Sequence, residues 1–232
     1  VPAILGPASS SDVGSVFQAV RDRGTFVTSP SATSPALTDA DETSPTDEQP
    51  GLLWRTAPPD SLQGARIAED MIGRNVTNVS VISQSGAYGE GLRGVFDQAF
   101  PSGFDLYVFS NPNQLSEAIT LAGNGSAQEV LFIASAQDDV VTFLNAAATN
   151  AGFDSKTLFL TDTAATRDTL DRGPGRLFPR IRGTRPRPLD TRDTVYGTFV
   201  ASYVAEYQTD VSDFSFTSHA YDMTWVTALG AA

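Results

Sequence analysis

Pro2-Ala3-Ile4-Leu5-Gly6-Pro7-Ala8-Ser9-Ser10-Ser11 reads as an apolar strand running into a hydroxyl-rich turn, and Ser29-Pro30-Ser31-Ala32-Thr33-Ser34-Pro35 ends a second strand in the same way. Between them Val13, Val16, Phe17 and Val20 recur at helical spacing, with Asp12 near the start and Gly24 just past the end. Ser11–Arg23 is therefore a predicted helix and Thr25-Phe26-Val27-Thr28 the next strand. Strand, helix, strand is the unit of a parallel α/β sheet, whose strand ends lie side by side at the crevice where ligands bind. Both turns should face one small volume. Backbone N–H groups beside hydroxyls suit a carboxylate or another small anion, and neither turn offers a strong base or an activated nucleophile. Such turns grip a ligand and do not react with it.

Outward from this stretch, Ser31–Gly51 is rich in Ser, Thr, Pro, Asp and Glu and is expected as a long solvated loop around Asp39-Ala40-Asp41-Glu42. Those carboxylates lack the glycine turn of a calcium loop. Leu52–Thr56 is a short strand stopped by Pro58-Pro59. Asp60 or Ser61 can cap a helix through Ile72. Strands at Val76–Ser83, Phe104–Phe109, Glu129–Ala134 and Thr157–Thr161 then alternate with helices at Gly89–Ala99, Gln114–Ala122, Asp138–Ala151 and Ala164–Leu170. That alternation implies a parallel, doubly wound sheet. Asp171–Pro188, rich in Gly, Pro and Arg, is expected as irregular crossing chain whose arginines are solvated or pair with the acidic surface. Helices at Thr191–Tyr207 and Phe216–Leu229 finish the chain.

The 232 residues carry a formal charge of −12, which disfavours nucleic acid and anionic membranes as partners. With 41% hydrophobic residues the chain can build a real core. Cysteine is absent, excluding disulfides and thiolate chemistry. No apolar run approaches the ~20 residues that span a bilayer. Signatures of a serine elbow, a phosphate-binding loop, a dinucleotide fold and a zinc protease are missing, and nothing calls for a metal or cofactor. The single His219 lies on an apolar helix and is expected as a packing residue.

Gly6-Pro7-Ala8-Ser9-Ser10 with Ser29–Thr38, Trp54-Arg55-Thr56-Ala57-Pro58, Tyr88-Gly89-Glu90-Gly91-Leu92 and His219-Ala220-Tyr221-Asp222 together resemble, in order, the type 1 periplasmic binding proteins, in their branched-chain amino acid (Leu/Ile/Val) branch. The resemblance covers nearly the whole chain. It implies an α/β fold of two Rossmann-like lobes with parallel doubly wound sheets joined by crossover strands. The first lobe would comprise residues 1–57 and 189–232 and be incomplete; the second would comprise 58–188. In the family Val1 falls at a mid-sheet strand and Trp225–Ala232 at an unfinished helix, so the chain reads as an internal portion of a longer, exported protein of the periplasm or cell exterior. The implied function is capture of a small amino acid or carboxylated ligand and its delivery to an inner-membrane ABC transporter.

By the same resemblance, Ser10 and Thr33 give donors to the ligand's carboxylate, Ser31 gives a backbone carbonyl to its ammonium, and Tyr88 sets an aromatic ring over it. Ala136, Asp162 and Thr163 stand at the other strand ends. Asp162 is the acid available there for an ammonium, one residue before the position of the family's acid, which falls at Thr163. The plainer alternative for Ser10, Ser31 and Thr33 is turn formation and helix capping; for Tyr88 it is packing over its own sheet. Two other functions fit the same fold: a ligand-sensing regulatory module of a signalling or envelope protein, and an α/β enzyme in which Ser10 or Ser85 would meet His219.

Overall fold

The computed structural model describes residues 3–41, 51–187 and 192–230. β1 (Ala3–Leu5), α1 (Ser10–Val20), β2 (Phe26–Ser29) and β3 (Leu53–Arg55) give a parallel sheet in the order β1-β2-β3. α1 starts at Ser10 because Ser9 caps it, its Oγ accepting the Asp12 N–H at 3.2 Å and donating to the Asp12 carboxylate at 2.7 Å. The helix closes through a 3₁₀ turn, Arg21–Arg23, and Gly24 in the left-handed region. Val13 and Phe17 bury against Val27, Ala32 and Leu37. Among the described residues β1 pairs with β2 on one side only, and Leu5 is exposed. The expected long loop contains a 3₁₀ turn at Pro35–Leu37; its remainder from Glu42 to Pro50, including the end of the acidic run, lies outside the described residues.

The second sheet has the order β5-β4-β6-β7-β8, all parallel: β4 (Val79–Gln84), β5 (Asp105–Phe109), β6 (Glu129–Ile133), β7 (Thr157–Leu160) and β8 (Ile181–Gly183). Two helices cover one face, α2 (Asp60–Gly73) and α3 (Ala87–Ala99), through Ile67, Met71, Leu92 and Phe96. On the other, α4 (Pro112–Asn124) and α5 (Gln137–Thr149) bury Leu115, Ile119, Phe143 and Leu144. Burial on both faces is why β4 and β6 read as near-continuous apolar runs. Glu129, 1% exposed at the start of β6, is held by two bonds from Arg74, at 2.7 and 2.8 Å.

β8 corrects the expectation of irregular chain. Ile181, Arg182 and Gly183 pair with Leu158, Phe159 and Leu160. An edge strand needs partners on one side only, and this one is pinned by Arg182 to Asp70 at 2.6 Å and by Arg180 to the Lys156 carbonyl at 3.0 Å. Arg172 pairs with Asp168 and Asp138, as the surface reading of these arginines expected. After α6 (Arg167–Arg172) and β8, α7 (Thr194–Tyr207) and α8 (Thr217–Gly230) end the chain. α8 returns to pack on β1 and β2, and the Thr56 hydroxyl donates to the His219 carbonyl at 2.8 Å. Among the described residues no helix is long and apolar enough to cross a membrane.

Candidate functional site

A cavity of about 480 Å³ opens between the strand ends of the two sheets. Ser10 and Ser31 line it from the first sheet; Tyr88, Asp162 and Thr163 line it from the second. Five of the seven sequence-predicted positions thus share one volume. The other two do not. Ala136 is exposed while its neighbours Ser135 and Gln137 form the wall. Thr33 borders a separate cavity of about 530 Å³ between Pro58-Pro59 and Gly183–Arg187.

The two serine turns are tied to each other. The Ser34 N–H donates to Ser10 Oγ at 3.2 Å, Ser31 Oγ donates to the Ala8 carbonyl at 3.0 Å, and Ser29 Oγ donates to the Pro7 carbonyl at 2.6 Å. Turn formation therefore uses part of each hydroxyl's capacity, leaving Ser10 its proton and Ser31 its lone pairs. Asp12 and Val13 donate their N–H groups to Ser9, whereas that of Ser10 has no intrahelical acceptor. The positive end of α1 consequently stands at the cavity wall.

Opposite, the Tyr88 hydroxyl donates to Asp162 Oδ1 at 2.7 Å. Both side chains are buried. Burial pushes the Asp162 carboxyl above its ordinary range, against the Tyr88 and Gln63 hydrogen-bond donors that pull it down. Burial also raises the Tyr88 phenol, helped by the Asp162 and Asp60 carboxylates. Tyr88 reaches this place because glycines let α3 approach its neighbours. A Cβ on Gly89 would fall 1.8 Å from the Gln84 carbonyl oxygen, and one on Gly91 would fall 2.8 Å from Pro35 Cδ and Ser34 Oγ. Ser34 Oγ donates to the Ala87 carbonyl at 2.7 Å and the Ala87 N–H donates to Ser11 Oγ at 3.2 Å. The first sheet's turns thus rest directly on the start of α3.

A family model described as periplasmic binding protein matches residues 1–232. The chain belongs to that family. Solved structures similar to this periplasmic binding protein include the branched-chain amino acid transporter substrate-binding protein LivJ from Streptococcus pneumoniae, in complex with isoleucine. That match has 18% identity and a TM-score of 0.74, covering 100% of this chain and 64% of that one. A candidate branched-chain amino acid ABC transporter protein from Rhodospirillum rubrum matches at 22% identity and a TM-score of 0.65, with the same coverage. An ABC transporter substrate-binding protein from Desulfitobacterium hafniense matches at 18% identity and a TM-score of 0.63, covering 97% of this chain and 63% of that one. The chain therefore spans about 64% of the first two neighbours' length. Comparison with curated proteins gives no match. The family and these neighbours are binding proteins, and the fold is the α/β architecture with parallel sheets that they share.

In this periplasmic binding protein the cavity is also lined by residues that the sequence did not single out. Phe214, Ser215 and Phe216, just before α8, and Thr217, its first residue, line the cavity, and Ser215 Oγ donates to the Asp162 carbonyl at 2.8 Å. Two aromatics on a polar segment directly before the His219-Ala220-Tyr221-Asp222 motif were the available signal. Among the described residues, no hydrogen bond joins His219 to Ser10 or Ser85. Its Nδ1 is buried without a partner, its ring meets Phe216 edge-on at 5.6 Å, and burial pushes its pKa down. That geometry is packing. Nor, among the described residues, do three metal-ligating side chains cluster.

Proposed function

We propose that this chain is the ligand-capturing part of a solute-binding receptor that takes a neutral amino acid, or a closely related zwitterion, between its two sheets. The observation that carries this is a cavity of amino-acid size with the positive end of α1 on one wall and Asp162 with Tyr88 on the other. A carboxylate at Ser10 and an ammonium at Asp162 would each meet an opposite charge. Among the described residues the lining holds no Lys or Arg, so a second carboxylate on the ligand would go unpaired. Phe214, Phe216 and Ala220 offer an apolar wall for a side chain. The isoleucine in the LivJ complex belongs to the same chemical class.

In this reading residues 1–57 with 189–232, and residues 58–188, are two lobes that close on the ligand about the Thr56–Pro58 and Gly183–Pro188 crossings. Closure follows the ligand's differential affinity for the closed form, which is then presented to an ABC transporter outside the cytoplasmic membrane. A thermal-shift screen tests the ligand class, since a ligand at 100 times its Kd adds about 2.7 kcal/mol of stability. Neutral amino acids should raise the melting temperature and succinate should not. No shift with any amino acid would overturn the proposal.

A further inference from the structure

Asp60 opens α2 directly after Pro58-Pro59, and its side chain is 0% exposed. Among the described residues neither carboxylate oxygen has a hydrogen-bond partner, and the adjacent Thr33 hydroxyl has none either. The Thr33 hydroxyl lies close enough to favour the Asp60 anion slightly, but without the geometry of a formed bond. The Asp60 backbone N–H donates to the Thr33 carbonyl at 2.8 Å. Gln63, one turn along the same face of α2, donates to Thr184 Oγ1 at 2.9 Å and stands near enough to Asp162 to favour its anion. The first turn of α2 therefore lies beside Asp162.

The charged and titratable groups that reach Asp60 come from three other elements: Asp162 after β7, Tyr88 on α3 and Arg55 on β3. Arg55 is committed elsewhere, to the Ser34 carbonyl at 2.7 Å and to the Thr38 hydroxyl. An anion at Asp60 would be a buried charge without a partner beside a second acid, which a protein avoids by keeping the group neutral.

We infer, building on the proposed ligand class, that Asp60 and Asp162 form an electrostatically coupled acid pair in which Asp60 holds one proton, and that a ligand's ammonium group arriving at Asp162 drives this proton to solvent. Asp60 does not touch the ligand. It is a positioning residue that sets how much negative charge Asp162 can present. Burial first, and the Asp162 carboxylate second, raise Asp60 to about 7, so the exchange falls near neutral pH. Because binding releases a proton, affinity rises with pH through that region, by at most about tenfold per pH unit. Asp60→Asn removes the exchangeable proton and flattens the profile.

Carboxyl ¹³C NMR titration of the whole chain, with Asp60→Asn and Asp162→Asn for assignment, tests the pair without a ligand. Asp60 should titrate near neutrality, and Asp162→Asn should move its midpoint clearly downward. An Asp60 midpoint in the ordinary carboxylate range, or one unmoved by Asp162→Asn, overturns the inference. Calorimetry with L-isoleucine in buffers of different ionisation heat then reads proton release. The parent should release protons and bind several-fold tighter at pH 8 than at pH 6, while Asp60→Asn should do neither. An unchanged pH profile in Asp60→Asn also overturns the inference. Absence of binding by isoleucine and by every other amino acid refutes the ligand class instead, and the NMR titration alone then decides the acid pair.

Discussion

Replacing Asp60 by Asn should make the protein more stable at pH 8 and leave it nearly unchanged at pH 4. An unfolded aspartate titrates near 3.8, whereas Asp60 in the fold is raised to about 7. Between those values the native protein keeps a proton that the unfolded chain has already lost, so stability falls as pH rises. The contribution is fully present below about 3.8 and gone above about 7. Three pKa units at 1.36 kcal/mol each give about 4 kcal/mol as the upper end of the effect. Asn has nearly the same shape and stays neutral throughout, so the variant lacks this loss. Urea denaturation of both proteins at pH 4, 6 and 8, at fixed ionic strength, measures the difference directly. A gap that opens steadily towards about 2–4 kcal/mol at pH 8 is expected. A gap that is the same at every pH, or a variant less stable than the parent at pH 8, would refute the buried-proton argument.

Arg74→Ala should cost about 3 kcal/mol or more in urea denaturation, because it leaves the buried Glu129 carboxylate without its two-point partner; adding Glu129→Gln should recover much of the loss, and a neutral Arg74→Ala would contradict this. Gly91→Ala places a methyl 2.8 Å from the rigid Pro35 ring, so the clash should outweigh the better helix propensity of alanine and destabilise by about 1–3 kcal/mol. Unchanged stability and unchanged amino-acid affinity in that variant would mean that the first sheet's turns do not rest on α3.

Sequence patterning disclosed the parts of this fold that carry long signals. β4 and β6 are buried on both faces and so are legible as apolar runs, and the serine turns after β1 and β2 announced the cavity wall they form. β8 escaped because Ile181-Arg182-Gly183 holds one apolar residue, and its pairing depends on remote partners, Asp70 and β7. β4 was expected to start at Val76 but begins at Val79, since Arg74 and Asn75 are spent closing α2, with Asn75 in the left-handed region. Thr33 was grouped with Ser31 by its place in the turn. Its carbonyl instead binds the Asp60 N–H, and the residue borders the cavity beside Pro58-Pro59 rather than the one between the strand ends of the two sheets. Ala136 sits at the cap of α5 and is exposed, while Ser135 and Gln137 on either side of it line the cavity. Asp60 read as a capping residue, yet Pro59 occupies the cap position and no side chain caps α2. Whether an acid beside a proline pair is solvated or buried is set by what packs over it, which local sequence does not encode.

A cavity that holds a zwitterion between two oppositely charged ends should answer to calorimetric titration with matched ligands. The amino acid giving the largest thermal shift should be compared with the amine lacking its carboxylate and the acid lacking its ammonium. Each hydrogen bond to a charged group is worth roughly 1.5–3 kcal/mol, so losing either end should weaken binding at least tenfold. Both truncated ligands should bind at least tenfold more weakly than the amino acid. Equal affinity for the amino acid and either truncated ligand would contradict it.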